Sequence, residues 1–363
     1  MSLIFYYKPL IIKSHMEKYL FKNFIKIILL TLALILSITS CKGQSDEYLE
    51  KTYKAGFIEK QVIVENGPVI NYAEGPDNGN ALLLIHGQTM AWEDYEKVLP
   101  ELSKNWHVFA VDCYGHGRST HDEKKYYLDS IGNDLIWFIN NVIKEKTVVS
   151  GHSSGALIAA YIAGNGGIYV VGSLLEDPPI FSTEKDYFEK TFAYQDSFKN
   201  IHNYLNSNKD ECWEAYYLRN CLWGKLYMPS MTGKMADDAQ KYHKENPDKP
   251  VRISYVPESI NSMFLYMKEY DLLFGDHFYD YTWHNGISHE KLMKDIKVPT
   301  IFLHAKDAYT KDSILMAASS NDQARKAVSL VKGCDLIEII SGHDIHSEKP
   351  NDFIEAINKL LVK

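Results

Sequence analysis

Cysteine is scarce in this chain: five in 363 residues, with no C-x-x-C pair. That excludes the zinc frameworks and dithiol redox motifs that need closely spaced thiolates. Cys113, Cys212, Cys221 and Cys334 are scattered. Cys212 and Cys221 are close enough in sequence to form a disulfide in an oxidising compartment; buried free thiols are the other reading. Basic clusters are also missing, and the net charge is −8 at pH 7. An acidic chain without a basic face is a poor binder of nucleic acid. No fixed-period repeat or low-complexity tract is present, which excludes solenoids and propellers. Long apolar runs are lacking as well. The stretch Ile27 to Ile38 is too short to span a bilayer comfortably.

What the N-terminus does hold is a pattern of export. Lys18, Lys22 and Lys26 precede the apolar stretch, and small residues follow it. Met16 gives a more typical start for such a signal. Leu36-Ser37-Ile38-Thr39-Ser40-Cys41 resembles the lipobox of bacterial lipoproteins. The resemblance implies a signal peptide over 1–40, a lipid on Cys41, a polar tether over 41–55, and a place in the cell envelope with membrane contact through the lipid. The alternative is a short anchor left uncleaved. Residues 1–40 carry five lysines and one glutamate, so a chain beginning at Cys41 has a net charge of −12.

Beyond residue 55 the pattern alternates. Phe57 to Glu65 and Val69 to Ala73 read as an antiparallel strand pair turned at Asn66-Gly67. Ala81 to Ile85, Val108 to Val111, Thr147 to Val149 and Val170 to Leu175 are short continuous apolar runs, the mark of strands covered on both faces of a parallel sheet. Trp92 to Leu102 and Tyr127 to Ile143 have helical spacing. The rhythm stops near Phe181 and returns at Val298 to His304. A helix is expected at Asp322 to Val331, a strand at Asp335 to Ile340, and a closing helix at Asn351 to Val362. Between residues 181 and 296 the chain is helical in character and rich in aromatic residues. Strands alternating with helices at this spacing predict an α/β fold built on a parallel sheet. The core is then residues 56–180 and 297–363, and 181–296 is an inserted helical domain.

The stretch Ser150-Gly151-His152-Ser153-Ser154-Gly155 lies between a predicted strand and the helix-forming run Ala156 to Ala163. G-x-S-x-G in that setting lifts a serine above the sheet at a helix N-terminus. A serine needs a base, and the base needs an orienting carboxylate. In an open parallel sheet such groups collect after strand ends. That leaves Asp112, Asp177 and Asp307 as acids, and His86, His116, His304, His343 and His346 as bases.

Taken together, His86-Gly87, Asp112-x-x-Gly115-His116-Gly117-Arg118-Ser119, the serine turn, Lys306-Asp307 and Gly342-His343 resemble the α/β-hydrolase family with an inserted cap, over about residues 57–363. The resemblance implies a mostly parallel eight-stranded-type sheet with helices on both faces. It implies Ser153 as nucleophile, Asp307 as acid and His343 as base, with backbone N–H groups of Gln88 and Ser154 forming the oxyanion hole. Asp177 is the rival acid, because some relatives place it after the strand that follows the nucleophile helix. His86 and His116 are expected to shape loops, and His152 to pack beneath the serine. Trp92 and Tyr95 are expected to line the pocket. The pairing of His343 with His346 as metal ligands lacks a third ligand, so no metal and no cofactor are expected. Serine at the turn argues against the dehalogenases and epoxide hydrolases of similar shape, which use a carboxylate there. The expected activity is cleavage of an ester-type acyl bond in a small apolar substrate. Amide or peptide hydrolysis of the proline-iminopeptidase type, and a non-catalytic envelope binding protein, are the alternatives. Oligomeric state is not legible.

Overall fold

The structure is a computed structural model that describes residues 44–361 apart from 66 and 209. Cys41 and the export pattern lie outside the described residues. Eight strands form one sheet: β1 (Ile58–Ile63), β2 (Val69–Glu74), β3 (Asn80–Ile85), β4 (Trp106–Val111), β5 (Thr147–His152), β6 (Val170–Glu176), β7 (Thr300–Ala305) and β8 (Cys334–Ile339). Their order is β1-β2-β4-β3-β5-β6-β7-β8. β2 pairs antiparallel with β1 and β4, and all other neighbours are parallel. Leu82 to Ile85 and Thr147 to His152 are wholly buried, as strands covered on both faces must be. The strand order crosses over between β3 and β5, so the carboxyl ends of β3, β5 and β6 lie side by side.

Helices cover both faces and divide the apolar interior into two clusters, one beneath each side of the sheet. α1 (Gln44–Lys54) replaces the expected tether. Its Thr52 is buried and donates to the Glu96 carbonyl, and Tyr53 meets Trp92 edge-on at 6.2 Å. This apolar face docks on the core, so the segment is not a free polar linker. The expected helix from Trp92 to Leu102 is broken. A 3₁₀ turn spans Trp92–Tyr95, and α2 (Leu99–Leu102) restarts with Pro100 in its first turn. Proline fits there, where its missing N–H is not needed, but not inside a continuous helix. α3 (Leu128–Phe138) and α4 (Ser154–Asn165) flank β5.

Between β6 and β7 the described chain forms helices and no strand: α5 (Lys199–Leu205), α6 (Trp213–Asn220), α7 (Leu222–Tyr227), α8 (Thr232–Glu245), α9 (Glu258–Lys268), α10 (Leu272–Tyr279) and α11 (His289–Lys294). α6, α8 and α9 build a small core of their own from Ala215, Leu218, Met235, Ala239 and Phe264. Phe274, Phe278 and Trp283 instead join the main core. After β7 come α12 (Asn321–Ser329), α13 (Ile345–Glu348) and α14 (Pro350–Asn358).

Candidate active site

β5 runs directly into α4 through Ser153, whose φ of 54° and ψ of −122° lie in a region that side chains rarely adopt. The surroundings impose this. A Cβ at Gly151 would fall 2.1 Å from the Gly155 carbonyl oxygen, and one at Gly155 would fall 2.3 Å from that of Ile85. Both obstacles are backbone, so neither can move aside. The two glycines let the turn close until the serine stands at the N-terminus of α4, above the end of β3. His152 packs beneath it with 2% exposure. Among the described residues the Ser153 hydroxyl makes no hydrogen bond. Contacts between nucleophile and base are commonly long in substrate-free enzymes and tighten in the complex.

Asp177, immediately after β6, holds two imidazoles. Its Oδ2 accepts from His343 Nδ1 at 2.7 Å, and its Oδ1 from His304 Nδ1 and the Ala305 N–H, each at 3.1 Å. The carboxylate is fully buried. Burial alone would raise its pKa; hydrogen bonds from His304 and His343 outweigh that and hold it below the usual carboxylate range. For His343, burial works downward, but the hydrogen bond and charge of Asp177 push the pKa up to about 9. With 37% of its side chain exposed, His343 is still reachable from solvent.

This geometry corrects the acid inferred from sequence. Asp307 does not meet His343. It accepts from the backbone N–H of Asn321 at 3.0 Å and from its side-chain amide at 2.7 Å, so it is engaged at the N-terminus of α12. β7 lies one strand farther from β5 than β6 does, and the α12 terminus offers a carboxylate its own donors. The two acids are joined by a chain of contacts, because His304 Nε2 lies 3.0 Å from Asn321 Oδ1. His304 was legible only as a candidate base; its partnership with Asp177 was missed. The one available signal was its place at the end of β7, beside the end of β6.

The loop after β3 approaches the serine closely: a Cβ at Gly87 would lie 3.0 Å from that of Ser153. The backbone N–H groups of Gln88 and Ser154 donate to no backbone carbonyl among the described residues. The Gln88 side chain donates to Tyr270 Oη at 2.7 Å, tying this loop to the helical insertion. His86 accepts from the Cys113 N–H at 3.0 Å, and its ring meets that of His116 at 5.0 Å; both shape loops.

Trp92 and Tyr95 do not line a pocket. Both are completely buried in the core, where the Trp92 N–H donates to Asp112 and the Tyr95 hydroxyl to the Ile85 carbonyl. The 3₁₀ turn points them inward. Cys212 and Cys221 are buried free thiols, not a disulfide. Two surface hollows, of about 380 and 450 Å³, open near Phe181 and Lys326. Neither is lined by Ser153 or His343, so the chemistry, not the size of a cavity, locates the candidate site.

A serine on a strained strand-to-helix turn, a buried carboxylate–imidazole pair and free amides lie at the carboxyl edge of a doubly wound α/β sheet. The chain belongs to the alpha/beta hydrolase family, whose pattern it matches over residues 82–356. It is 26% identical over 140 residues to the AB hydrolase superfamily protein YfhM of Bacillus subtilis, covering 38% of this chain and 43% of that protein. It is 30% identical over 106 residues to the (E)-2-((N-methylformamido)methylene)succinate hydrolase of Acinetobacter baylyi, covering 29% of this chain and 40% of that one. The chain thus spans less than half the length of these two relatives. The crystal structure of the esterase RhEst1 from a Rhodococcus species superposes with a TM-score of 0.59 at 18% identity, covering 84% of this chain and 98% of that one.

Proposed function

We propose that this protein is a serine hydrolase that cleaves an ester-type acyl bond through an acyl-enzyme. The observation that carries the reading is the 2.7 Å contact between Asp177 and His343, beside a serine held at the N-terminus of α4. In this reading His343 takes the Ser153 proton as the hydroxyl attacks the acyl carbon, then returns it to the leaving alcohol. Water repeats the cycle to release the acid. Asp177 receives the Nδ1–H, fixing the tautomer and stabilising the imidazolium. The N–H groups of Gln88 and Ser154 receive the oxyanion. The helical insertion acts as a cap, and its aromatic side chains favour a small apolar acyl group.

The export pattern supports a lipid on Cys41 and a place in the bacterial cell envelope. Globomycin treatment, which blocks lipoprotein signal cleavage, should leave a larger precursor; an unchanged mass would refute the anchor.

Labelling with a fluorophosphonate ester tests the activity. Mass spectrometry should find one adduct on Ser153, lost in Ser153→Ala and in unfolded protein. Folded protein that stays unlabelled would overturn the reading.

A further inference from the structure

Three side chains from three loops of the site converge below Ser153: Asp94 in the 3₁₀ turn, His152 at the end of β5, and His346 in α13. One donor atom of each lies within 4.8 Å of the others. His152 Nδ1 is 3.8 Å from Asp94 Oδ2, and His346 Nε2 is 3.4 Å from Asp94 Oδ1. All three are at least nine-tenths buried; side-chain exposure is 3%, 0% and 5% for His152, His346 and Asp94.

The outer edge of each ring is already committed. His346 Nδ1 lies 2.8 and 3.0 Å from the two oxygens of Glu176, which can only accept, so Nδ1 carries a proton. His152 Nε2 lies 3.2 Å from the His343 carbonyl and 3.3 Å from Asp344 Oδ1, again acceptors only. When both rings are neutral, His346 Nε2 and His152 Nδ1 are bare and turned toward the Asp94 carboxylate. Burial works downward on the His346 pKa, but the charges of Glu176 and Asp94 push it up, so a proton and a metal ion compete for Nε2. Those two nitrogens and Asp94 Oδ2 have no hydrogen-bond partner. In that state three buried acceptors face one another without a donor, which is costly unless a metal ion, or a proton on Nε2, lies among them. Gly87 leaves the room, since a Cβ there would stand 2.9 Å from His152 Nδ1. Tyr95 and Phe353 wall the far side against the His346 ring.

We propose that Asp94, His152 and His346 bind a divalent transition-metal ion, with zinc the best match to two imidazoles and one carboxylate. Tetrahedral bonds of ~2.1 Å require donors about 3.4 Å apart. His346 Nε2 stands 3.4 Å from Asp94 Oδ1, and His152 Nδ1 stands 3.8 Å from Asp94 Oδ2. One donor atom of each residue lies within 4.8 Å of the others, so the side chains need to draw together slightly around the ion. The Glu176–His346 contact is the outer carboxylate that orients a metal-bound histidine. A third ligand for His346 thus exists, but the second histidine is His152 and not His343. The role is structural. His152 precedes Ser153, His346 follows His343 by three residues, Glu176 precedes Asp177, and Asp94 follows the Gln88 loop. One ion would staple all four loops beneath the site without touching the substrate.

The test is metal content and stability of the full chain, dialysed against metal-free buffer after growth with zinc. About one zinc per chain is expected, together with a melting temperature that falls when a strong chelator is added. Asp94→Asn and His346→Gln should lose both the metal and the chelator effect, whereas Ser153→Ala should keep both. Where His346→Gln fails to fold because Glu176 is left unpaired, Asp94→Asn carries the test. Cobalt loaded in place of zinc should show the intense visible bands of a four-coordinate ion. A metal-free native chain that takes up neither ion would overturn the proposal. So would metal that survives Asp94→Asn, or ring-nitrogen NMR of zinc-exposed protein showing both His346 nitrogens protonated, the signature of a buried imidazolium between Glu176 and Asp94.

Discussion

Asp177 holds two imidazoles with one negative charge. His343 takes Oδ2 and His304 takes Oδ1, so losing the charge releases both rings. Asp177→Asn should lower kcat/KM toward an activated ester by about 10³–10⁴-fold, the cost of a wrong tautomer in a triad. Asp307→Asn should cost less than about tenfold, since Asp307 acts only at the N-terminus of α12. Steady-state kinetics on both variants checks the assignment; equal losses would refute it. The pH profile follows from the same contact. A base works when deprotonated, and the Asp177 contact pushes His343 up to about 9. The rate should therefore climb steadily from pH 7, reach half its maximum near pH 9 and level off only above it. The residual activity of Asp177→Asn should level off at lower pH, because the raising charge is gone. A pH–rate series on both proteins measures this shift.

Among the elements, the loop from α10 into α11 has its own chemistry. His284 and His289 are buried with ring centroids 4.7 Å apart. Burial pushes the His284 pKa down to about 4, and burial and the neighbouring ring hold His289 well below its usual value. His289 Nδ1 also accepts the Phe181 N–H at 2.6 Å, a bond that protonation would break. A histidine depressed in the folded state contributes stability that is present above pH 6.5 and is lost as pH falls toward 4. His284 alone should account for up to ~3 kcal/mol of acid destabilisation over that window. Thermal unfolding between pH 7 and 4 should drop less steeply in His284→Phe than in the wild type. Parallel curves would show that the ring titrates normally.

At the scale of the whole molecule, the insertion and the sheet share an interior. Phe278 stacks on Trp283 at 4.3 Å, and the Leu128 N–H at the start of α3 donates to the Trp283 carbonyl. Tyr126 reaches Asp271, and Gln88 reaches Tyr270. These contacts couple the helical insertion to the loops around Ser153. Phe278→Ala should destabilise the protein by about 3–5 kcal/mol. Tyrosine fluorescence and far-ultraviolet dichroism should then report one coincident transition; two separated transitions would show that the insertion unfolds alone.

The alternation of apolar runs and helical stretches, and the G-x-S-x-G turn at Ser153, were legible because each depends on a local rule: strand burial, helix propensity and the steric need for Gly151 and Gly155. Local rules failed where partners are distant in sequence. Asp177 and Asp307 both follow strands, and nothing within either loop tells which one His343 meets. Strand order settles it, since β6 lies beside β5 while β7 lies one place farther, and the α12 N-terminus supplies Asp307 with other donors. Trp92 and Tyr95 have the composition of pocket residues, but the turn that carries them faces the core. Glu176 and Asp177 are neighbours in sequence, yet one meets His346 and the other His343. The chain alone therefore determined the kind of fold and the turn that carries Ser153. The tertiary structure decided which carboxylate His343 meets, because a carboxylate meets whichever donor the packed strands and helix ends bring within about 3 Å.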